Sequence, residues 1–149
     1  MKIPNESIEI LLVEDNPDDA MLAIMALKES RIVNHIVHLK DGAEALDYIF
    51  HEGEYANLPI DSHPKVILLD IKMPKVNGIE VLRRVKADER TKEIPVVIFT
   101  SSDEDPDVEE CYKVGVNSYV VKPLDFDQFK KVINDIGLYW VVLNRPFDS

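Results

Sequence analysis

Polar residues that can do chemistry follow four apolar runs of this chain. In chain order they are the acidic pair Glu14–Asp15 after residues 8–13, Asp70 after residues 66–69, Thr100 after residues 95–99, and Lys122 after residues 118–121. Runs of branched aliphatic residues favour strands that are buried on both faces. Open α/β sheets place their functional groups where such strands end. The pattern therefore predicts a single site that contains three acids, a hydroxyl and a lysine.

The predicted cluster of carboxylates needs a cation. Acidic side chains that lie close together repel one another strongly unless a positive charge neutralises them. Oxygen ligands select a hard ion such as Mg²⁺. We expect Asp15 and Asp70 to bind this ion directly. Glu14 would act through a water molecule, and the backbone carbonyl of Lys72 would complete the protein's ligands.

Asp70 can also act as a nucleophile, because aspartate side chains form covalent phosphoaspartate intermediates. The oxygens of a phosphoryl group on Asp70 would need neutralising, which Lys122 and the metal ion can do, with Thr100 as a hydroxyl donor. Taken one at a time, these residues have ordinary structural interpretations. An acidic pair or a threonine often caps a helix, and a lysine is often a solvated charge.

Strand-like and helix-like segments alternate five times along the chain. Helix starts are predicted at Asn16–Pro17, Asp41–Gly42, Asn77–Gly78 and near Asp125, and residues 52–64 are predicted to be a loop. The acidic segment 103–107 contains Pro106 and precedes a short fourth helix, which is marked by Val108, Cys111, Tyr112 and Val116 and closed by Gly115 and Asn117. Such a βα alternation, with nearly continuous apolar strands, predicts a parallel sheet with helices on both faces. Right-handed crossovers favour the flavodoxin-like, doubly wound strand order 2-1-3-4-5. In that order the first and third strands are neighbours, so Glu14–Asp15 and Asp70 would meet.

Length and composition limit the possible functions. A chain of 149 residues fits one domain, here residues 1–149 with a core at about 8–143. The net charge of −11 argues against a nucleic-acid partner. Cys111 is the only cysteine, which excludes a disulfide framework. No secretory signal or membrane-spanning run is evident, so we expect a cytoplasmic protein with no membrane contact.

The site residues resemble the signature of the response-regulator receiver domain of two-component signalling. That signature consists of Glu14–Asp15, Asp70 within Asp-Ile-Lys-Met-Pro, Gly78, Thr100–Ser101 and Lys122–Pro123. The resemblance implies that a histidine kinase phosphorylates Asp70 with Mg²⁺ and that the protein-binding surface then switches. It also implies a cis peptide bond before Pro123. In the implied switch, Thr100 moves towards the phosphoryl group and Tyr119 becomes buried.

Further segments resemble the single-domain regulators that serve phytochrome-type histidine kinases. They are residues 15–19, 53–57, 115–119 and 137–140. The resemblance implies a phytochrome-type kinase as partner. With no output domain after Ser149, the protein is expected to act through protein contacts, either as a switchable binding partner or as a phosphorelay carrier. It would not be an enzyme, apart from catalysing its own phosphotransfer and dephosphorylation.

Two other functional classes share parts of this pattern. A phosphohydrolase of the haloacid-dehalogenase type also uses an aspartate nucleophile, but it places a second acid two residues later, where this chain has Lys72. A flavodoxin-type electron carrier needs a phosphate-binding loop after the first strand. Here that loop is Glu14–Asp15–Asn16–Pro17, which would repel a phosphate. Turnover of a small phosphomonoester or flavin absorbance would revive the respective alternative.

The end of the last predicted helix suggests self-association. Phe129, Ile133, Ile136 and Trp140 already supply the stripe that packs on the sheet. Residues 138–143 are nevertheless apolar on every side, and exposed apolar patches usually mark interfaces. We therefore expect a homodimer in which Leu138, Tyr139 and Val142 face a second copy. The alternative is that the end of this helix folds over the base of the domain.

Overall fold

The computed structural model describes residues 10–30, 35–59 and 63–145 and contains a five-stranded parallel sheet. The strands are β1 (Ile10–Val13), β2 (Ile36–Leu39), β3 (Val66–Leu69), β4 (Val96–Thr100) and β5 (Ser118–Val121). They are arranged in the order β2-β1-β3-β4-β5, and every neighbouring pair is parallel. The predicted fold class and strand order are confirmed.

Helices follow the strands in regular alternation. They are α1 (Pro17–Glu29), α2 (Gly42–Ile49), α3 (Gly78–Ala87), α4 (Asp105–Val114) and α5 (Phe126–Gly137). A short 3₁₀ turn (Gly53–Tyr55) lies in the loop after α2, and a π-helical turn (Leu138–Leu143) extends α5. Residues 60–62, which belong to the loop predicted at 52–64, lie outside the described residues.

The predicted helix starts are confirmed by their caps. The side chain of Asn16 accepts hydrogen bonds from the N–H groups of Asp18 and Asp19, both at 3.0 Å. The side chain of Asp41 accepts from the N–H of Glu44 at 2.8 Å. The caps Asn77 and Asp125 work in the same way on α3 and α5. Each cap satisfies backbone donors that the first helical turn leaves unpaired.

The fourth helix begins earlier than its apolar residues indicated, because α4 starts at Asp105, three residues before Val108. Pro106 lies in the first turn of α4, where proline is well tolerated because its missing N–H has no intrahelical partner. The expected end of this helix is confirmed. Gly115 terminates it with φ at 113°, a conformation that glycine adopts readily.

Alternate residues of the buried strands pack on opposite faces of the sheet. Leu11 and Val13 belong to the cluster formed with α2, α3 and α4, whereas Ile10 and Leu12 belong to the cluster formed with α1 and α5. Cys111 is completely buried in the first of these clusters, as a small hydrophobic residue is expected to be. Both faces of the sheet are therefore covered, and its carboxyl edge is left for chemistry.

None of the helices in the described part of the chain is both long enough and apolar enough to cross a membrane.

Candidate functional site

Backbone hydrogen bonds continue beyond the strands and fix the first residues of the site. The N–H of Asp70 donates to the carbonyl oxygen of Val13 at 3.1 Å. The N–H of Lys122 donates to the carbonyl oxygen of Thr100 at 2.7 Å. The site residues from β1, β3, β4 and β5 thus begin at one edge of the sheet, where open α/β sheets bind their ligands.

Three acids converge at this edge. Each of Glu14, Asp15 and Asp70 places a carboxylate oxygen within 4.8 Å of the other two. Glu14 and Asp70 are 3% and 6% exposed, whereas Asp15 is exposed to solvent. The structure therefore brings together the acids that the sequence predicted as cation ligands, two of them largely shielded from water.

Lys122 lies at the centre of the carboxylates. Its Nζ is 2.8 Å from Glu14 Oε1, 2.8 Å from Asp19 Oδ2 and 3.0 Å from Asp70 Oδ2. Its side chain is 8% exposed. An ammonium group has three N–H donors, so these carboxylates can occupy all of them.

Asp19 is a site residue that the sequence analysis missed. It lies in the first turn of α1, and its carboxylate reaches Lys122 from the helix. The signal was its position four residues after Asp15, which brings a residue in the first turn of α1 back towards the end of β1. Only the packing of α1 against the sheet decides whether its side chain points inward.

The acidic cluster carries more negative charge than Lys122 neutralises. Burial raises the pKa of Glu14 to about 7, with the negative charge of Asp70 acting in the same direction and Lys122 opposing it. Burial alone would lower the pKa of Lys122, but its hydrogen bonds to Asp19 and Glu14 raise it above the ordinary value. A buried cluster of carboxylate oxygens with unfavourable charge fits a hard divalent cation, which would favour the ionised form of Glu14.

Thr100 is the last residue of β4, and Tyr119 is the second residue of the neighbouring strand β5. Thr100 is completely buried, and its Oγ1 is a distant acceptor, at 3.4 Å, for the N–H of Ser102. The hydroxyl of Tyr119 donates to the carbonyl oxygen of Ser102 at 2.9 Å. The ring of Tyr119 is half-buried against the α2, α3 and α4 cluster. The loop after β4 therefore connects Thr100 with Tyr119.

Glycines allow backbone segments to approach closely beside Asp70. A Cβ atom on Gly78 would overlap the carbonyl oxygen of Asp70, and one on Gly42 would overlap the carbonyl oxygen of Val76. The N–H of Gly78 donates to the carbonyl oxygen of Ile71 at 2.8 Å. The start of α3 is thus held directly against the segment that carries Asp70.

Comparison with known proteins identifies the family. The model of the response regulator receiver domain matches residues 10–134. The chain belongs to the response-regulator receiver family. Its role is that of a phosphoacceptor in two-component signalling.

Two relatives illustrate the similarity of this receiver to other regulators. It is 44% identical over 137 residues to the probable methanogenesis regulatory protein FilR2 of Methanothrix harundinacea, covering 91% of this chain and 85% of FilR2. It is 38% identical over 132 residues to response regulator Rcp1 of Synechocystis sp., covering 89% of this chain and 88% of Rcp1.

Solved structures of related regulators have the same fold. The phosphorylated cyanobacterial phytochrome response regulator RcpA has a TM-score of 0.88 and 36% identity, covering 95% of this chain and 99% of RcpA. The Mn²⁺-bound form of Rcp1 has a TM-score of 0.87 and 35% identity, with the same coverage of 95% and 99%.

The expected cis bond before Pro123 is wrong for this receiver, because the structure contains no cis peptide bond in the described residues. The trans isomer is the lower-energy form even before proline. With the trans bond, Lys122 still reaches the carboxylates of Glu14 and Asp70.

In the π-helical turn that extends α5, some side chains are buried in the core and others are exposed on the surface. Val141 is buried at the base of the domain, and the half-buried Trp140 packs against the core formed with α1 and α5. Leu138, Tyr139 and Val142 are 39%, 50% and 52% exposed. The helix end therefore folds partly over the base, and an apolar strip remains on the outside.

Proposed function

We propose that Asp70 is the residue that accepts the phosphoryl group, and that a histidine kinase donates it. In this transfer, a carboxylate oxygen of Asp70 forms a new bond to phosphorus. The P–N bond of the kinase phosphohistidine breaks, and its electron pair remains on the imidazole nitrogen. The observation that carries the proposal is the buried Asp70 carboxylate, 3.0 Å from Lys122 Nζ and clustered with Glu14 and Asp15.

We propose Mg²⁺ as the ion that works with this cluster. Asp15, Asp70 and the backbone carbonyl of Lys72 are its proposed direct ligands, and Glu14 acts through water. A bound Mg²⁺ would neutralise charge on the phosphoryl oxygens. Lys122 neutralises a further oxygen with its ammonium group. The same residues support slow hydrolysis of the acyl phosphate by the receiver itself, its only proposed catalysis apart from accepting phosphate.

Labelling of the intact protein tests this function. Incubated with acetyl phosphate and Mg²⁺, the protein should gain one acid-labile phosphoryl group, detected as a mass increase. A chelator should suppress labelling, because it removes the ion that neutralises the transferred group. Acid-stable labelling, or labelling indifferent to the chelator, would contradict the proposal.

Replacing Asp15 with asparagine tests the cation site. The change removes one anionic ligand and leaves the side-chain shape, so Mg²⁺ affinity should fall roughly tenfold or more. Calorimetric titration measures the affinity. Asp18→Asn is the matched control, because Asp18 is an exposed acid in the first turn of α1 and carries the same charge. Equal affinities in the two variants would refute the role of Asp15.

We propose that phosphorylation is transmitted through Thr100 and Tyr119. New phosphoryl oxygens on Asp70 attract the Thr100 hydroxyl, because they are strong acceptors. Thr100 and Tyr119 already contact the same residue, Ser102. A shift of this loop would change the half-buried ring of Tyr119 and the surface formed by α4, β5 and α5.

We further propose that the partner kinase is of the phytochrome type and that the receiver is cytoplasmic. The similarity to RcpA, a cyanobacterial phytochrome response regulator, supports this partner. The proposed organisation is a single receiver over residues 1–149, acting through protein contacts.

We propose that the receiver forms a homodimer through Leu138, Tyr139 and Val142. Their exposed apolar side chains support this surface, and an isologous two-fold contact is the commonest arrangement of homodimers. The surface is continuous with α5 and lies close to β5, because a groove is lined by Ser118, Val120 and Tyr139 among other residues. Phosphorylation that moves Tyr119 can therefore tune association.

Replacing both Tyr139 and Val142 with glutamate should give a folded monomer, because charge on a buried apolar contact is costly. Sedimentation at high micromolar concentration measures the change in mass. Met21→Glu is the control, because Met21 is 61% exposed but belongs to α1. A wild-type protein that is monomeric with and without phosphorylation would contradict the interface.

A further inference from the structure

We propose that Asp19 is a positioning residue that keeps the Lys122 ammonium in place while the other acids engage the cation and the phosphoryl group. This inference rests on the proposed function of Asp70. The observation is the 2.8 Å distance between Lys122 Nζ and Asp19 Oδ2, as short as that to Glu14 Oε1. No role for Asp19 follows from the strand-end pattern, because this residue belongs to a helix.

Asp19 differs from the other partners of Lys122 in what else it can bind. The carboxylates of Glu14 and Asp70 belong to the group that can hold a cation together with Asp15, and Asp19 is outside that group. A cation bound among those acids would compete with Lys122 for the carboxylates of Glu14 and Asp70. Asp19 is the partner that remains for Lys122 alone.

The helix holds Asp19 rigidly. The N–H of Asp19 donates to Asn16 Oδ1 at 3.0 Å, which fixes its backbone in the first turn of α1. The positive end of a helix dipole favours a negative charge in this turn. The side chain of Asp19 is 32% exposed, so it forms the outer wall of the site, whereas Glu14 and Asp70 form the inner wall.

Because Asp19 is held in place, Lys122 can keep one of its ion-pair partners throughout phosphotransfer. When phosphoryl oxygens replace a free carboxylate oxygen of Asp70, one N–H of the ammonium turns to them, while another stays on Asp19. Without Asp19 the flexible lysine side chain samples more positions, and fewer of them stabilise the transferred charge. Losing this partner should slow phosphotransfer without removing a cation ligand.

Asp19→Asn tests this role, with Asp18→Asn as the matched control. Both changes remove one negative charge from the first turn of α1, and Asp18 occurs in none of the ion pairs found among the described residues. Labelling by acetyl phosphate should slow roughly tenfold in Asp19→Asn and stay near the wild-type rate in Asp18→Asn. Mg²⁺ affinity should be equal in the two variants, and Asp19→Glu should restore part of the rate.

A double variant shows whether Asp19 acts through the lysine. Added to Lys122→Ala, Asp19→Asn should slow labelling no further, since residues that act through one interaction are not additive. Equal slowing in both backgrounds would overturn the proposal. Faster labelling of Asp19→Asn would also overturn it, because Asp19 would then act only by repelling the anionic phosphodonor.

The Lys122 ammonium can also be observed without any reaction. In metal-free protein, nuclear magnetic resonance should detect slowly exchanging Lys122 ammonium protons in wild type and Asp18→Asn and faster exchange in Asp19→Asn. Equal exchange in all three would refute the positioning contact. A wild-type protein that takes no label would refute the proposed function instead, and the ammonium signal would still decide whether Asp19 holds the lysine.

Discussion

Replacing Asp70 with asparagine is expected to abolish acid-labile phosphorylation by a kinase or by acetyl phosphate. The amide lacks the anionic oxygen that attacks phosphorus, so the labelling rate should fall by about a thousandfold or more. Mass spectrometry of the intact protein measures the label. Asp70 is nearly buried and contacts Lys122, so circular dichroism should accompany the measurement to verify folding.

Asp103→Asn is the control for this experiment. Asp103 is an exposed acid in the loop after β4, and its replacement removes the same charge. If Asp103→Asn is fully labelled and Asp70→Asn is not labelled, the reaction is assigned to Asp70 at the end of β3. Acid-labile label retained by folded Asp70→Asn would place the phosphoryl group on another residue.

The sheet was predictable because each strand is a short apolar run with a polar residue at its end. The bounds of β3 and β5 match the predicted runs, and Asn16, Asp41 and Asn77 cap the predicted helices. Parallel pairing then restricts where the polar residues can lie, because the carboxyl ends of all the strands face one edge of the sheet. The convergence of Glu14, Asp15 and Asp70 follows from strand order alone.

Features that depend on side-chain direction were not predictable in this way. The contact of Asp19 with Lys122 joins a helix to a strand end far along the chain, and no local pattern specifies it. The isomer before Pro123 depends on a small energy difference that sequence does not determine. The apolar residues at 138–143 have no single periodicity, so sequence did not separate buried Val141 from exposed Val142.

Gly78→Ala should have the second-largest effect, on both stability and the site. A methyl group at this position would overlap backbone atoms of Asp70 and Ile71, which cannot rotate away as a side chain can. Overpacking of this kind costs about 3 kcal/mol when the backbone must shift. The segment that must shift carries Asp70 itself, so Mg²⁺ affinity should fall at least roughly tenfold along with the free energy of unfolding.

Gly115→Ala separates these two effects. Gly115 has φ at 113°, so alanine there is strained, but the nearest atom to an added Cβ is Lys86 Cγ at 3.9 Å. This variant should lose about 1–2 kcal/mol of stability and keep the wild-type affinity for Mg²⁺, because the strain lies at the end of α4 that precedes β5. Urea unfolding and calorimetric titration measure the two quantities. If Gly78→Ala lost stability but bound Mg²⁺ normally, the close contact between α3 and the Asp70 segment would serve the fold alone. If it lost both stability and Mg²⁺ affinity, the geometry of the acidic cluster would depend on Gly78, a residue that has no reactive group of its own.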